Sequence, residues 1–471
     1  MKEVNLLKDM RLKSYKTNYI HLRELNLDPI KLATSITDIS TYAGMDYMIY
    51  ENNDEISIGI GKYLDLKIYP NKVLIKNDDR QGAVIIKDIC KDIYNIFNLI
   101  NMNNWRAYGM ANFNYANYMY SKDIESDKKL MEFFIPDIDV RIKDEKIVVN
   151  YITEEDYLTI KNLINRYFDD ETNSEKIIKD NYLEIKPKDE DYYKDIVFKA
   201  IEEIKNDKYE KVILSRKITL DRRFNLLKSY FSGRRKNTPA RSYCLKVDGL
   251  EAVGFSPETI VEVNKNKTVY TFPLAGTRAL YDDEDKNKKL KEELLKDPKE
   301  IAEHAVSVKL AYQELEDVCE KDSVCVIEFM NVLERGTVQH LASRLKGKIK
   351  NGMNEWHAFS ALFPAVTASG IPKKECIDTI NRLEKDDRGL YSGGVLTYDK
   401  DGTLDVALVL RTAFQTNEES WIRVGAGIVK LSNPKRELEE TKEKLGSIVD
   451  QLVYKNNKIL GFTENSKYCN N

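Results

Sequence analysis

The sequence predicts an α+β fold built as one large domain. Three observations predict it: apolar and polar residues alternate with period two in the first half, strand and helix signals succeed one another irregularly, and neither a Pro/Gly/Ser-rich linker nor a fixed-period repeat interrupts the chain. A regular βαβ wound sheet would alternate strictly, and this chain does not.

With 471 residues the chain is long enough to bury a substantial core without staples. Its 42% hydrophobic and 32% charged residues exclude the disordered and membrane-embedded classes. Lys+Arg number 74 and Asp+Glu 77, a net charge of −3, so the basic stripe of a nucleic-acid binder is missing. The short run Arg234-Arg235-Lys236 after Gly233 reads as a solvated loop. Cys90, Cys244, Cys319, Cys325, Cys376 and Cys469 form no C-x-x-C pair, which argues against a zinc ribbon and a secreted disulfide scaffold. No apolar segment approaches the ~18 residues of a membrane span, and the first residues lack the apolar run of a signal peptide. The expectation is a cytoplasmic protein without a membrane partner.

Taken in order, residues 55–76 alternate as half-buried antiparallel strands do, and 87–101 place Ile, Tyr and Phe at helical spacing. Residues 133–152 read as a second strand group with a hairpin turn at Asp144-Glu145-Lys146. A polar helix is expected over 189–208, leading into the strand 211–220. From there glycine and small-residue motifs become dense. The chain therefore divides into a divergent amino-terminal part (1–190), a motif-rich part (191–455) and a tail (456–471), all within one fold.

The residues that carry chemistry lie in the second part. Glu300 and Glu303 are spaced i, i+3 just after Pro298, which suits a first helical turn; Glu437 and Glu440 repeat the spacing, with Lys444 on the same face. Two such carboxylate pairs are either solvated faces or a hard-oxygen site for Mg²⁺. In 403–414, alternate residues fall on two largely apolar faces, so one strand covered on both sides is expected, with Arg411 emerging from it. That guanidinium needs an anion, either a structural carboxylate or a substrate carboxylate. Gly276-Thr277-Arg278 and Gly425-Ala426-Gly427 are expected at strand ends, where bare backbone can approach an anion. Gly393-Gly394 suits a turn or a bulge. Lys211 opens a strand and either snorkels to solvent or, desolvated, serves as a base. Glu258, after Ser256-Pro257, carries no signal of its own. No P-loop or Rossmann fingerprint appears, and His21, His304, His340 and His357 make no H-E-x-x-H pattern.

Ten motifs in one order carry a resemblance: KVILSR (211–216), GFSPE (254–258), PLAGTRAL (273–280), EIAEHAVSV (300–308), ERGTVQHL (334–341), ALFPAVTASGIPK (361–373), RGLYSGG (388–394), LRTAFQ (410–415), VGAGI (424–428) and ELEETKEKL (437–445). Together they resemble the chorismate-utilising enzymes of the anthranilate synthase component I type, and within them the salicylate synthases. The match covers about residues 195–455. The resemblance implies a single α+β unit in which two antiparallel sheets pack together with helices outside. It implies Mg²⁺-dependent conversion of chorismate, through isochorismate, to salicylate and pyruvate, commonly for siderophore biosynthesis. By position Lys211 matches the base that activates water and Glu258 the acid that protonates the departing hydroxyl. Glu303 and Glu440 match direct metal carboxylates, supported by Glu300 and Glu437. Arg411 and Tyr391 match the clamp on the enolpyruvyl carboxylate. Gly276, Thr277, His340, Thr367, Gly425 and Lys444 match the rest of the substrate pocket.

Within the family, anthranilate synthases typically have glutamine where Lys211 stands and use ammonia, and aminodeoxychorismate synthases of one type have a nucleophilic lysine where Ala275 stands. Lysine at 211 with alanine at 275 favours water as the nucleophile, and no glutaminase partner is expected. The alternatives are an isochorismate synthase that stops after the first step, or a catalytically silent relative that binds chorismate.

Overall fold

Period-two segments become strands whose partners lie far along the chain. The computed structural model describes residues 5–21, 28–37, 44–52, 54–121, 124–144, 146–169, 189–335 and 338–459. Among them, two large antiparallel sheets of eleven and twelve strands carry the fold. Leu64–Ile68 and Lys72–Lys76 show the expected alternation of buried and more exposed positions. Tyr47–Glu51 and Ile56–Ile60 are buried on both faces almost throughout, because a second layer covers each side.

The two parts of the sequence are woven together in both sheets. In one, Tyr47–Glu51 pairs with Arg241–Val247; in the other, Arg106–Ala111 pairs with Gly394–Asp399. Tyr50, Tyr243 and Phe414 of the first sheet meet Tyr108, Phe134 and Val395 of the second in one apolar layer between the sheets. Helices cover the outer faces. Ile89–Asn98 is capped by the Asp88 carboxylate and buries Ile89, Ile93, Ile96 and Phe97 against the second sheet. Pro29–Ile36 and Leu226–Arg234 cover the first. This is an α+β sandwich of two antiparallel sheets with helices outside. No helix among the described residues is long and apolar enough to cross a membrane.

Local expectations fare unevenly. The helix over 189–208 forms as Glu190–Lys205, and Ile138–Lys143 pairs with Lys146–Tyr151 around Asp144 at φ +52°, although Glu145 itself lies outside the described residues. The run at 234–236 is a solvated turn only in part: Arg235 and Lys236 are exposed turn residues, but Arg234 ends the Leu226–Arg234 helix and its Nε donates to Glu51 at 2.6 Å. The tail begins inside the strand Tyr454–Ile459, which pairs with Arg222–Phe224; residues 460–471, Cys469 among them, lie outside the described residues. The single strand expected through Arg411 is two strands. Leu404–Leu408 belongs to the twelve-stranded sheet and Thr412–Gln415 to the eleven-stranded one, so the chain crosses between layers at Val409–Arg411. Apolar residues on both faces hide such a crossing, because burial on either side of it looks the same.

Candidate active site

Lys211 opens the strand Lys211–Leu220, which is paired on one side with Ser420–Val429 and on the other with Gly370–Ile371. It is only 7% exposed and does not snorkel: its Nζ lies 2.5 Å from Glu303 Oε1. Its stem passes over Gly427, where a Cβ would come within 3.1 Å of Lys211 Cε. The Cys376 thiol donates to the Lys211 carbonyl at 2.9 Å, fixing the backbone as well.

Glu258 sits between the strands Leu250–Ser256 and Thr259–Val263 and is 4% exposed. Burial pushes its carboxyl up to about 8, against the Thr367 hydroxyl, which donates to Oε2 at 2.9 Å, and against the field of Lys211. A carboxyl so placed is protonated at neutral pH and can give a proton. The Lys211 charge thus reaches the Glu258 carboxyl and opposes its rise.

A third group runs Thr277–His340–Arg411. Gly276 stands at a bulge where Leu274–Ala279 pairs with Val338–Lys348, at φ +78°, which only glycine adopts without strain. The bulge turns Thr277 so that its hydroxyl lies 3.0 Å from His340 Nδ1 and its N–H donates to Glu300 Oε2 at 3.2 Å. Arg411 Nη2 donates to His340 Nε2 at 3.3 Å, so Nδ1 carries the ring proton and donates to Thr277. Burial, reinforced by Arg411 and Lys444, holds His340 down at about 3, permanently neutral at working pH. Arg411 itself has φ +49°, a left-handed conformation costing roughly 1–3 kcal/mol. Burial, with Arg335 adding repulsion, lowers its guanidinium to about 10. Among the described residues no carboxylate pairs with it; Nη1 donates only to the Arg335 carbonyl at 3.3 Å. The structural salt bridge is therefore not what Arg411 makes, and an incoming anion would relieve its burial.

Gly425 lies inside the Ser420–Val429 strand, not at its end; Gly276 likewise lies within a strand. A Cβ at 425 would fall 3.2 Å from the Tyr391 hydroxyl and 2.8 Å from the Leu214 carbonyl, so the bare backbone makes room for the tyrosine. Lys444 Nζ donates to the Gly425 carbonyl at 3.0 Å. At the other glycine pair, Gly393 precedes the Gly394–Asp399 strand and packs against the Ala111 carbonyl.

The acidic pairs arrive on two helices. Pro298–Val318 and Pro434–Val449 each begin with proline at the first position and are capped by Asp297 and Asn433. Neither face is simply solvated. Glu303 holds Lys211, Glu300 holds Thr277 N–H and lies 3.3 Å from Arg278, and Glu440 holds Lys444 at 2.8 Å. Burial pushes the Glu437 carboxyl above its ordinary range and Glu440 adds to the push, against a Ser432 hydrogen bond. Burial would also raise Glu303, but the Lys211 ammonium overrides it and holds that carboxyl low. Lys444 acts on Glu303, Glu437 and His340 alike, so its charge reaches both helix starts and the Arg411 group. The donors are hard oxygens, and the mutual repulsion of Glu437 and Glu440 is relieved by a cation, so these residues fit Mg²⁺. As arranged here, no three of the four carboxylates converge within 4.8 Å; Glu303 and Glu440 are each paired with a lysine.

Sequence reasoning missed Glu384, Arg388 and Arg423, a buried ionic cluster behind Tyr391. Arg388 stood in a quoted motif, but nothing in residue type announces bonds to backbone carbonyls. Gly336-Thr337 of another motif lie outside the described residues.

The sequence profile of the chorismate binding enzymes matches residues 47–450. The chain belongs to this family. Among curated members it is 44% identical over 261 residues to the salicylate synthase of Mycolicibacterium paratuberculosis (strain ATCC BAA-968 / K-10), covering 55% of this chain and 58% of that one. It is 38% identical over 256 residues to anthranilate synthase component 1 of Saccharolobus solfataricus, covering 54% and 61%. The chain thus matches about three-fifths of the length of these relatives. Solved members share the fold: the menaquinone-specific isochorismate synthase of Escherichia coli superposes with TM-score 0.68 at 19% identity, covering 96% of this chain and 99% of that one. Anthranilate synthase component I of Streptococcus pneumoniae TIGR4 superposes at 0.67 and 23%, covering 94% and 96%.

Proposed function

We propose that this chorismate binding enzyme converts chorismate to isochorismate by water addition and then releases pyruvate to leave salicylate, with Mg²⁺ as cofactor. The observation that carries the reading is a lysine at 211 buried opposite a carboxyl at 258 that burial keeps protonated. Lys211, once neutral, takes a proton from water as its oxygen bonds to ring C2. The ring double bonds shift, and Glu258 gives its proton to the C4 hydroxyl, which leaves as water. One water enters and one departs, so the step is an isomerisation. Arg411 and the Tyr391 hydroxyl receive the enolpyruvyl carboxylate, while Thr277, His340, Thr367 and Gly425 shape the pocket around the ring.

Glu303 and Glu440, supported by Glu300 and Glu437, would hold Mg²⁺, which when bound supplies positive charge to the ring carboxylate. In the second step the C2 hydrogen passes to the enolpyruvyl methylene as the ether C–O bond breaks. No side chain takes that proton, so the pocket contributes positioning. Water as nucleophile makes an ammonia-supplying partner unnecessary, and the salicylate would serve as a siderophore precursor.

The test is purified protein with chorismate, with and without MgCl₂, products resolved over time and ammonium offered as a competitor. Salicylate and pyruvate in equal amounts support the reading. Isochorismate accumulating without pyruvate selects an isochorismate synthase, anthranilate selects amination, and no turnover selects a silent binder.

A further inference from the structure

The strand that carries Lys211 and the turn that carries Thr367 meet through backbone bonds at residues 369–371, where the Ile213 N–H donates to the Ser369 carbonyl at 2.9 Å. One side chain, Arg388, adds a second link from behind. Arg388 Nη2 donates to the Ile213 carbonyl at 2.7 Å, and Nη1 donates to the Ala368 carbonyl at 2.7 Å. Ile213 is two residues from Lys211, and Ala368 directly follows Thr367, whose hydroxyl holds Glu258.

The remaining donors of the guanidinium are also fixed. Nη1 reaches Ser392 Oγ at 3.2 Å, Nε reaches Glu384 Oε2 at 3.0 Å and Nη2 reaches Glu384 Oε1 at 2.6 Å. All five N–H groups are thus committed, the geometry that a planar fork allows and an ammonium does not. Glu384 is locked in turn by the Ser215 N–H and hydroxyl and by Arg423 Nη2 at 2.6 Å. Both guanidiniums lie by the Tyr391 ring, at 5.8 and 5.9 Å from its centre.

We infer that Arg388 is a positioning residue, whose fork clamps the strand of the base to the turn that orients the acid, beside the backbone bonds that already join them, with Glu384 holding the fork. It touches no substrate. The inference rests on the function proposed above for Lys211 and Glu258. Its cost is a buried ionic cluster, and such clusters are weak evidence of stability on their own. What they can supply is a unique geometry, and a shift of about 1 Å between reacting groups can cost ~100-fold in rate.

The experiment compares Arg388→Lys with Arg106→Lys in the full chain. Arg106 is a buried arginine in the strand Arg106–Ala111, bidentate to Asp399, and stands outside the site. Melting temperature, kcat and KM for chorismate are measured for both. The expected result is that both variants lose some thermal stability, but only Arg388→Lys loses roughly 10- to 100-fold in kcat, with KM within about threefold of the unmodified protein. An unchanged kcat in Arg388→Lys, or an equal loss in Arg106→Lys, overturns the inference. Should Arg388→Lys fail to fold, Glu384→Gln loosens the hold on the fork while leaving Arg388 in place, and a several-fold fall in kcat with KM within about threefold is then the supporting result; no fall overturns it. The ratios are read on whatever product the unmodified protein makes from chorismate, so a different product overturns the functional reading without deciding Arg388.

Discussion

Lys211 and Glu303 are bound to each other, Nζ to Oε1 at 2.5 Å, so the proposed base is paired with a proposed metal carboxylate. As the proposed base, Lys211 would have to leave that pair, and Glu303 would then be available to hold Mg²⁺. Lys211→Ala should therefore lower water addition to chorismate by about 100-fold or more. Mg²⁺ binding, followed by calorimetry without substrate, should be no weaker in this variant, since a competitor for Glu303 is gone. Isochorismate supplied from outside should still be converted, because the second step needs no base. Undiminished turnover of chorismate would remove Lys211 from the mechanism.

Glu258 fixes the sign of the pH response. Its carboxyl is protonated below about 8 and must be so to act as an acid, so kcat/KM should fall as pH rises through that value. Stability moves the same way. The folded state keeps a proton that the unfolded chain releases near 4.5, so each unit of pH between 4.5 and 8 costs the fold up to roughly 1.4 kcal/mol at this group. Glu258→Gln should abolish the alkaline limb together with most activity, and should gain stability over the unmodified protein as pH rises from 5 to 8. Denaturant titrations at those two pH values check it; a gap between the two proteins that does not widen would place the carboxyl's titration elsewhere.

Arg411 is held by His340 and the Arg335 carbonyl but by no anion among the described residues. Arg411→Lys keeps the charge and loses the fork. It should reduce kcat/KM for chorismate by roughly 10- to 100-fold, the value of one or two charge-assisted hydrogen bonds. His340→Asn, which can still donate toward Thr277 but not accept from Arg411 in the same way, should give a smaller loss of the same kind. Steady-state kinetics decide between them; an Arg411→Lys protein with normal kinetics would return the residue to a structural part.

The unevenness of the sequence reading has physical causes. Both glutamate pairs were visible because i, i+3 spacing is a local rule, reinforced at the first pair by Pro298; Pro434 starts the second helix in the same way. Arg411 was visible as a charge amid apolar residues, but its crossing between sheets was not, since both layers are equally apolar. Gly276 was seen as permissive backbone, while the bulge that needs it depends on the pairing with His340 and Leu341, 64 and 65 residues away in sequence. Glu258 has no local signal because its unusual acidity comes from burial, a property of the assembled sheets. Arg388 stayed hidden for the same reason: its partners are carbonyls, which every residue has.

The carboxylates of the two helices make the last prediction. Glu440 is balanced by Lys444, and Lys444 is also fastened to the Gly425 carbonyl, so Glu440 can leave its lysine for a cation without displacing the Lys444 ammonium from the pocket. Glu437 is more deeply buried, with its carboxyl raised by burial and further by Glu440. Glu440→Gln removes a full ligand charge, and the half-saturating Mg²⁺ concentration should rise by more than about tenfold; Glu437→Gln, which removes a supporting charge, should give a rise of roughly tenfold. Calorimetric Mg²⁺ titration without chorismate reads binding directly, and the activity titration should shift in parallel. An unchanged calorimetric curve in Glu440→Gln would take that helix out of the metal site, and Glu303 would then need other partners than the ones proposed.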